Sequence, residues 1–363
     1  MSSEKKKSFV VYGDWAQHLE LPQTVSLASN FESPPELPEE LIGGLLRAGH
    51  KMLVSGSSKA GKSFFLMELC VSIAEGREWM GFPCKQGKVL YVNLEIDPAS
   101  CIWRFKNIYN AYGIEPLHPD NIEIWNLRGY AIPMDKLVPK LIKRIKGRGF
   151  AAVVIDPIYK VITGDENNAT DMGAFCNQFD KICTETGCSA IYCHHHSKGA
   201  QGAKRAMDRA SGSGVFARDP DAHVDIIQLD TPEDLRKSLP DKSVTAWRME
   251  FSLREFKNPQ PVDFWFEYPL HRLDDEGVLS SLGAWGSPQS NLLKSSKFTT
   301  DGERRDAINS AYEFCKKHPP VTVTDMAEFL DVSERCTRDR LKNMEDEYWT
   351  KHGVVGKISD YYD

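Results

Sequence analysis

Short apolar runs recur through the middle of the chain, each bounded by charged or glycine-rich stretches. Met52-Leu53-Val54-Ser55, Lys88 to Leu94, Phe150 to Ile155 and Ser189 to Cys193 carry apolar residues at consecutive rather than alternating positions. A strand that is apolar on both faces must be covered on both, as in a parallel sheet sandwiched by helices. Phe64 to Ala74 is a longer apolar run and predicts a buried helix directly after the first strand. Val224 to Leu229, Thr245 to Leu253 and Val262 to Tyr268 predict later strands, antiparallel and nearer an edge. Strands alternating with amphipathic stretches predict an α/β fold, a mainly parallel twisted sheet flanked by helices.

The flanks of this pattern divide the chain. Residues 1–40 are polar and end in Ser33-Pro34-Pro35-Glu36-Leu37-Pro38, which reads as an arm leading into a core domain at 41–274. Residues 275–300 are rich in Ser and Gly, contain Pro288 and lack periodicity, which predicts a linker. Residues 301–363 predict a compact helical unit. There is no internal repeat.

Composition narrows the class. Of 363 residues, 41% are hydrophobic and 26% charged, as in an ordinary globular protein. No apolar run approaches the roughly 18–20 residues that span a bilayer, and no membrane partner is expected. The start of the chain lacks the apolar core of a secretory signal. Nine cysteines without a CxxC pair fit free thiols in a reducing compartment, so a cytoplasmic location is expected. The net charge of -6 argues against coating duplex DNA with the whole surface, and leaves local basic patches.

The run Gly56-Ser57-Ser58-Lys59-Ala60-Gly61-Lys62-Ser63 matches GxxxxGK[ST] at every fixed position. It lies between a buried strand and an apolar helix, where turned-in backbone N–H groups and a helix N-terminus cradle phosphates. Lys62 would reach the β- and γ-phosphates of ATP and the Ser63 hydroxyl would bind Mg²⁺; Phe64 follows in the same nucleotide-binding run. Asp156 ends the strand Phe150 to Ile155, at the sheet edge where ligands bind. There it would hold Mg²⁺ and its waters.

Two further strand ends carry reactive groups. Glu95 ends Tyr91-Val92-Asn93-Leu94, where it would either deprotonate the attacking water or be a solvated glutamate. His194-His195-His196 follow Ala190 to Cys193, and three readings stay open: a sensor of the γ-phosphate, a zinc site with Cys183, Cys188 and Cys193, or solvated side chains. Consecutive histidines on a strand point to opposite faces, which speaks against zinc.

The succession GSSKAGKS, YVNLEID, VVIDPIYK, Thr186-Gly187-Cys188 and IYCHHHSKG resembles the plasmid RepA-type hexameric helicases, a RecA-like family related to the DnaB helicases. The resemblance covers roughly residues 40–270 and implies a RecA-like P-loop core. By the same resemblance, Glu95 is the catalytic glutamate and Arg104 lies near the nucleotide. Asp156 is then the Mg²⁺ aspartate, and His194 and His195 are the sensor pair. The family's trans-acting arginine position holds Asp221 here. Arg218, Arg254 and Lys257 are the nearby basic candidates, with Arg254 and Lys257 ranked first for catalysis and Arg218 for contact with the nucleotide. An arginine that acts across a subunit boundary is worth about 10³–10⁵ in kcat.

Two segments predict nucleic-acid contacts. Residues 197–218 hold Lys198, Lys204, Arg205, Arg209 and Arg218 against Asp208, and read as a mobile basic loop suited to tracking a single strand of DNA. Residues 322–342 resemble a helix-turn-helix, with Ala327 at the helix crossing, Asp331 in the turn, Val332 as core plug and Ser333 as N-cap. Arg335, Arg338, Arg340 and Lys342 would line the second helix, for duplex DNA or for a protein. The resemblance implies a homo-oligomer, a ring of six, with ATP between subunits.

Overall fold

The computed structural model describes residues 24–57, 60–196, 209, 214–285, 301–316, 319–330 and 334–361. The chain divides into an amino-terminal unit, Met1–Glu39, and a second unit, Glu40–Asp363. Within the first, α1 (Leu27–Asn30) buries none of its residues.

The second unit is built on a nine-stranded sheet. Two short pairs, β1 (Glu40–Ile42) with β2 (Leu46–Arg47) and β4 (Glu78–Trp79) with β5 (Phe82–Pro83), stand apart from it. The main strands are β3 (Lys51–Gly56), β6 (Lys88–Asn93), β7 (Ile122–Asn126), β8 (Phe150–Asp156), β9 (Ser189–His195), β10 (Ala222–Gln228), β11 (Thr245–Leu253), β12 (Val262–Glu267) and β13 (Leu270–Leu273). Their order is β13-β12-β11-β10-β3-β9-β8-β6-β7. From β7 to β10 every neighbour is parallel, and β11, β12 and β13 continue antiparallel. The mainly parallel α/β architecture is therefore the one the apolar runs predict. One strand differs: β10 runs parallel to β3, with Ile226 opposite Gly56, so the antiparallel part begins one strand later than expected.

Helices cover both faces. α2 (Lys62–Glu75) and α3 (Pro98–Tyr112) pack over Met52, Val54, Tyr91 and Val154. α4 (Met134–Ile145) and α5 (Ala169–Thr186) pack over Leu53, Val92, Val153 and Tyr192 on the other face. β3 is buried at all six positions because its odd and even residues enter different cores. α2 is apolar almost all round, so it sits under its neighbours rather than at the surface. Deleting a side chain such as Leu69, fully buried there, costs about 2–5 kcal/mol. α3 starts where Asp97 accepts from the backbone N–H groups of Ala99 and Ser100, with Pro98 at the first helical position.

Other expectations shift in detail. Leu279 and Leu282 are buried against Leu229 and Ala246, so the stretch expected as linker begins with a packed turn. Gly214–Arg218 is a short helix, α6, with Phe216 and Ala217 buried, where a loop was expected; α7 (Glu233–Ser238) follows β10. Residues 301–361 contain α8 (Asp301–Cys315), α9 (Val323–Leu330) and α10 (Glu334–Lys342). A hairpin of β14 (Tyr348–Lys351) and β15 (Val354–Lys357) follows. Ile308, Ala311, Met326, Leu330, Leu341 and Tyr348 form a core of their own. The expected turn residues Asp331, Val332 and Ser333 lie outside the described residues.

Candidate active site

All the parallel strands deliver their carboxyl ends to one edge of the sheet, and the reactive groups collect there. A cavity of about 440 Å³ is lined by residues that include Gly61, Lys62, Ser63, Glu95, Arg104, Asp156 and His195. A phosphate group entering it meets the N-terminus of α2, where unpaired N–H groups favour an anion. Gly61 caps this helix at φ 73, a left-handed conformation that a side chain resists. A Cβ there would also come within 3.0 Å of His271 Nε2. Ser58 and Lys59 lie outside the described residues.

Lys62 is 6% exposed. Its ammonium donates to the carbonyls of Gly56 (2.9 Å) and Ser57 (2.7 Å) and to His195 Nδ1 (3.1 Å). Burial lowers its pKa, against the pull of Asp156 and Glu95. Burial and the neighbouring Lys62 charge also push the His195 pKa down to about 4, so the imidazole is neutral at pH 7. Because an ammonium can only donate, Nδ1 must accept, and the ring proton sits on Nε2. His195 therefore offers a neutral N–H donor to the cavity.

Asp156, 3% exposed, is held by two neighbours. The Tyr91 hydroxyl donates to Oδ2 at 2.5 Å and the Cys193 thiol to Oδ1 at 2.9 Å. Burial pushes both donors' pKa values well up, so each keeps its proton. Each carboxylate oxygen can accept two hydrogen bonds and takes one here, which leaves room for the water shell of a cation. Glu95 is exposed at the cavity wall, and its Oε1 accepts from the Tyr159 hydroxyl at 2.9 Å. Tyr159 in turn lies 5.4 Å from the His195 ring. Arg104 lies over the Phe64 ring at 4.8 Å. Tyr268 meets the same ring edge-on at 5.2 Å, and with Phe266 this makes an aromatic wall.

The structure brings together Lys62, Ser63, Phe64, Glu95, Arg104, Asp156 and His195 as expected from sequence. It separates the two histidines. His194 points to the other face, 3.7 Å from Glu166 and against the Phe216 ring. Only His195 of the pair lines the cavity. Cys193 faces Asp156 while His194 faces away, so these side chains do not converge on a zinc ion. Among the described residues, no group of three or more His, Cys, Asp or Glu side chains is placed to hold a metal ion.

Arg218, Arg254 and Lys257 lie at the opposite edge. Leu253, one residue before Arg254, pairs with Ala222, the amino end of β10. Arg254 binds Asp221 Oδ1 at 3.2 Å and the carbonyls of Arg218 (3.0 Å) and Asp219 (3.2 Å). Arg209, expected in the basic loop, is instead buried and ion-paired with Asp225 and Glu250.

Several site residues escaped the sequence reading: Tyr91, Tyr159, Phe266, Tyr268 and the buried pair of His271 Nδ1 with Glu68 Oε1 at 2.6 Å; Cys193 entered it only as a zinc candidate and not as a donor to Asp156. Tyr91 and Tyr159 carried a local signal, since each lies in a quoted motif beside Glu95 or Asp156. A further cavity of about 520 Å³ beside His271, lined by residues such as Arg77 and Glu78, contains none of the phosphate-binding residues. No helix is long and apolar enough to cross a membrane, among the described residues.

The AAA domain family (AAA_25) matches residues 16–201. Among solved structures, a KaiC-like protein of Pyrococcus horikoshii is 16% identical with a TM-score of 0.41, over 62% of this chain and 88% of its own. A DnaB-like replicative helicase is 13% identical with a TM-score of 0.46, over 67% of this chain and 64% of its own. The family match spans more than half of the chain and includes the phosphate loop, Glu95, Asp156 and the histidine strand, so the chain belongs to the AAA domain family of P-loop ATPases.

Proposed function

We propose that the protein is a DNA-dependent ATPase motor of the RepA type. It assembles head-to-tail into a ring, six copies by the resemblance, and moves along single-stranded DNA in the replication of a plasmid, phage or other mobile element. One observation carries this reading: the hydrolytic groups and the trans-acting basic candidates sit on opposite edges of one sheet. Among the described residues, the cations lining the cavity are Lys62 and Arg104. One chain cannot fold Arg254 or Lys257 onto its own phosphates, whereas a head-to-tail neighbour can present them. Such an interface is heterologous and closes into a ring when the rotation permits.

In this scheme the phosphate loop and Lys62 orient the triphosphate, and the aromatic wall with Arg104 supports the base. Ser63 and Asp156 would hold Mg²⁺, which supplies positive charge at the phosphate oxygens. Glu95, steadied by Tyr159, takes a proton from the attacking water. His195 donates from Nε2 to the γ-phosphate, which makes its position depend on that group. The basic 197–208 segment, outside the described residues, would contact the DNA backbone. Arg335, Arg338 and Lys342 are exposed on α10 ahead of the β14–β15 hairpin, an arrangement that suits a winged helix-turn-helix on duplex DNA.

A second reading is an ATP-gated oligomeric switch without translocation. It is favoured by the bonds that tie Arg254 to Asp221 and to carbonyls of its own chain. Subunit mixing separates the two. A Lys62→Ala chain and an Arg254→Ala/Lys257→Ala chain, each inactive alone, should recover hydrolysis together because some interfaces join two intact halves. No recovery, with both variants folded and oligomeric, would remove the shared-site reading.

A further inference from the structure

Behind the cavity, on the face of the sheet away from α2, lies a second cluster of buried polar groups. Ser55, His223 and Asp225 are at most 1% exposed, and Arg209 is 4% exposed. Asp225 is its centre. Its Oδ1 accepts from the Ser55 hydroxyl and from His196 Nε2 at 2.7 Å. Its Oδ2 accepts from Arg209 Nη1 at 2.8 Å. The Ser55 hydroxyl spends its one proton on Asp225, so His223 Nε2, 2.7 Å from Ser55 Oγ, must be the donor there. Burial pushes the Asp225 carboxyl up, but hydrogen bonds from His196 and Ser55 and the charges around it outweigh this and hold it low.

The seat for Arg209 is built into the strands. Asp225 stands directly opposite Glu250 in the β10–β11 ladder, and like charges so placed repel. Arg209 Nη1 bridges them, at 2.6 Å from Glu250 Oε2. His196 and Arg209 are the residues that bound the basic 197–208 segment on either side. A single carboxylate thus grips both ends of it.

The same cluster touches the phosphate loop. The His196 backbone N–H donates to the Gly56 carbonyl at 3.1 Å, and Lys62 Nζ donates to that same oxygen at 2.9 Å. Ser55 immediately precedes Gly56, and His195, the Lys62 partner, immediately precedes His196. A phosphate that draws Lys62 away changes the load on Gly56 O and on His195, and the next group on each strand is bonded to Asp225.

We infer that Asp225 is a positioning residue that transmits occupancy of the phosphate loop to both ends of the basic 197–208 segment. This rests on the reading of that segment as the contact for single strands. The test uses the full chain with Mg²⁺ and a non-hydrolysable ATP analogue. Tryptic cleavage after Lys198, Lys204 and Arg205 is followed by mass spectrometry, beside analogue affinity and hydrolysis with and without single-stranded DNA. In the unaltered protein the analogue should change these cleavage rates about tenfold. In Asp225→Asn the change should fall below about twofold while analogue affinity is kept, a split that mere loss of packing would not give. Ser55→Ala removes the link between Asp225 and the phosphate-loop strand, together with the His223 bond to the same hydroxyl, and should weaken the change in the same direction, which serves if Asp225→Asn fails to fold. A folded Asp225→Asn that keeps the tenfold response, or an unaltered protein with no response, overturns the inference. A response present without stimulation of hydrolysis by DNA would instead overturn the single-strand reading and leave the transmission intact.

Discussion

Two buried lysines stand at either end of the phosphate-loop strand and its turn, and their surroundings are opposite. Lys51 opens β3 and is 5% exposed, much as Lys62 is at 6%. Lys51 Nζ lies 2.7 Å from Asp180 and 2.8 Å from Asp219. Burial alone would lower its pKa, but the two carboxylates outweigh that and raise it. Lys62 is held by two carbonyls and a neutral imidazole, and burial wins: its pKa is lowered. A buried cation matched by carboxylates is finished, and its role is structural. A buried cation held by neutral acceptors keeps an unbalanced charge, which an anion such as a triphosphate can satisfy.

Substitution at each lysine should separate these roles. Lys62→Ala should lower ATP turnover by about 10³-fold in a steady-state assay, with little change in thermal midpoint. Lys51→Met should leave turnover within about twofold and cost about 2 kcal/mol in denaturant unfolding, because Asp219 loses its partner in a partly buried site. Equal effects of the two changes on turnover would break the comparison.

The next largest effect tests the acid–base part of the same edge. Glu95→Gln should lower kcat by about 10²-fold while ATP binding by fluorescence titration is unchanged. Tyr159→Phe removes one hydrogen bond to that carboxylate and should cost about fivefold in kcat, with the loss absent in the Glu95→Gln background.

The smallest effect concerns pH. His195 and His223 have pKa values lowered from 6.5 to about 4. A depressed histidine contributes stability that is present above pH 6.5 and lost as pH falls from 6.5 toward about 4, because the unfolded chain takes up the proton first. The Cε1–H resonance of His195 should therefore keep its neutral position to pH 5 in a titration. A midpoint near the ordinary 6.5 would mean that Lys62 and burial do not govern it.

The residues legible in the sequence are those whose chemistry is local. The phosphate loop is eight consecutive residues, and Glu95 and Asp156 announce themselves because each terminates an apolar run. Parallel strands then bring such ends to one edge without further information. The period-two rule also separates His194 from His195 correctly, although the resemblance to a paired sensor grouped them. What sequence could not give is pairing across the sheet. The donors to Asp156, Tyr91 and Cys193, come from the strands on either side of it, and their meeting depends on register. Arg209 reads as one more positive charge in a basic stretch, until β10 and β11 set Asp225 opposite Glu250 and create a seat for it. The parallel direction of β10 was hidden for the same reason, since an apolar run carries no sign of its direction.

ATP hydrolysis with and without single-stranded DNA, using Lys62→Ala as the blank, asks whether this site serves the proposed motor. Hydrolysis should rise by at least about tenfold with single strands and disappear in the variant. Slow hydrolysis that is indifferent to DNA would contradict the motor and leave the ATP-gated switch as the function of this site.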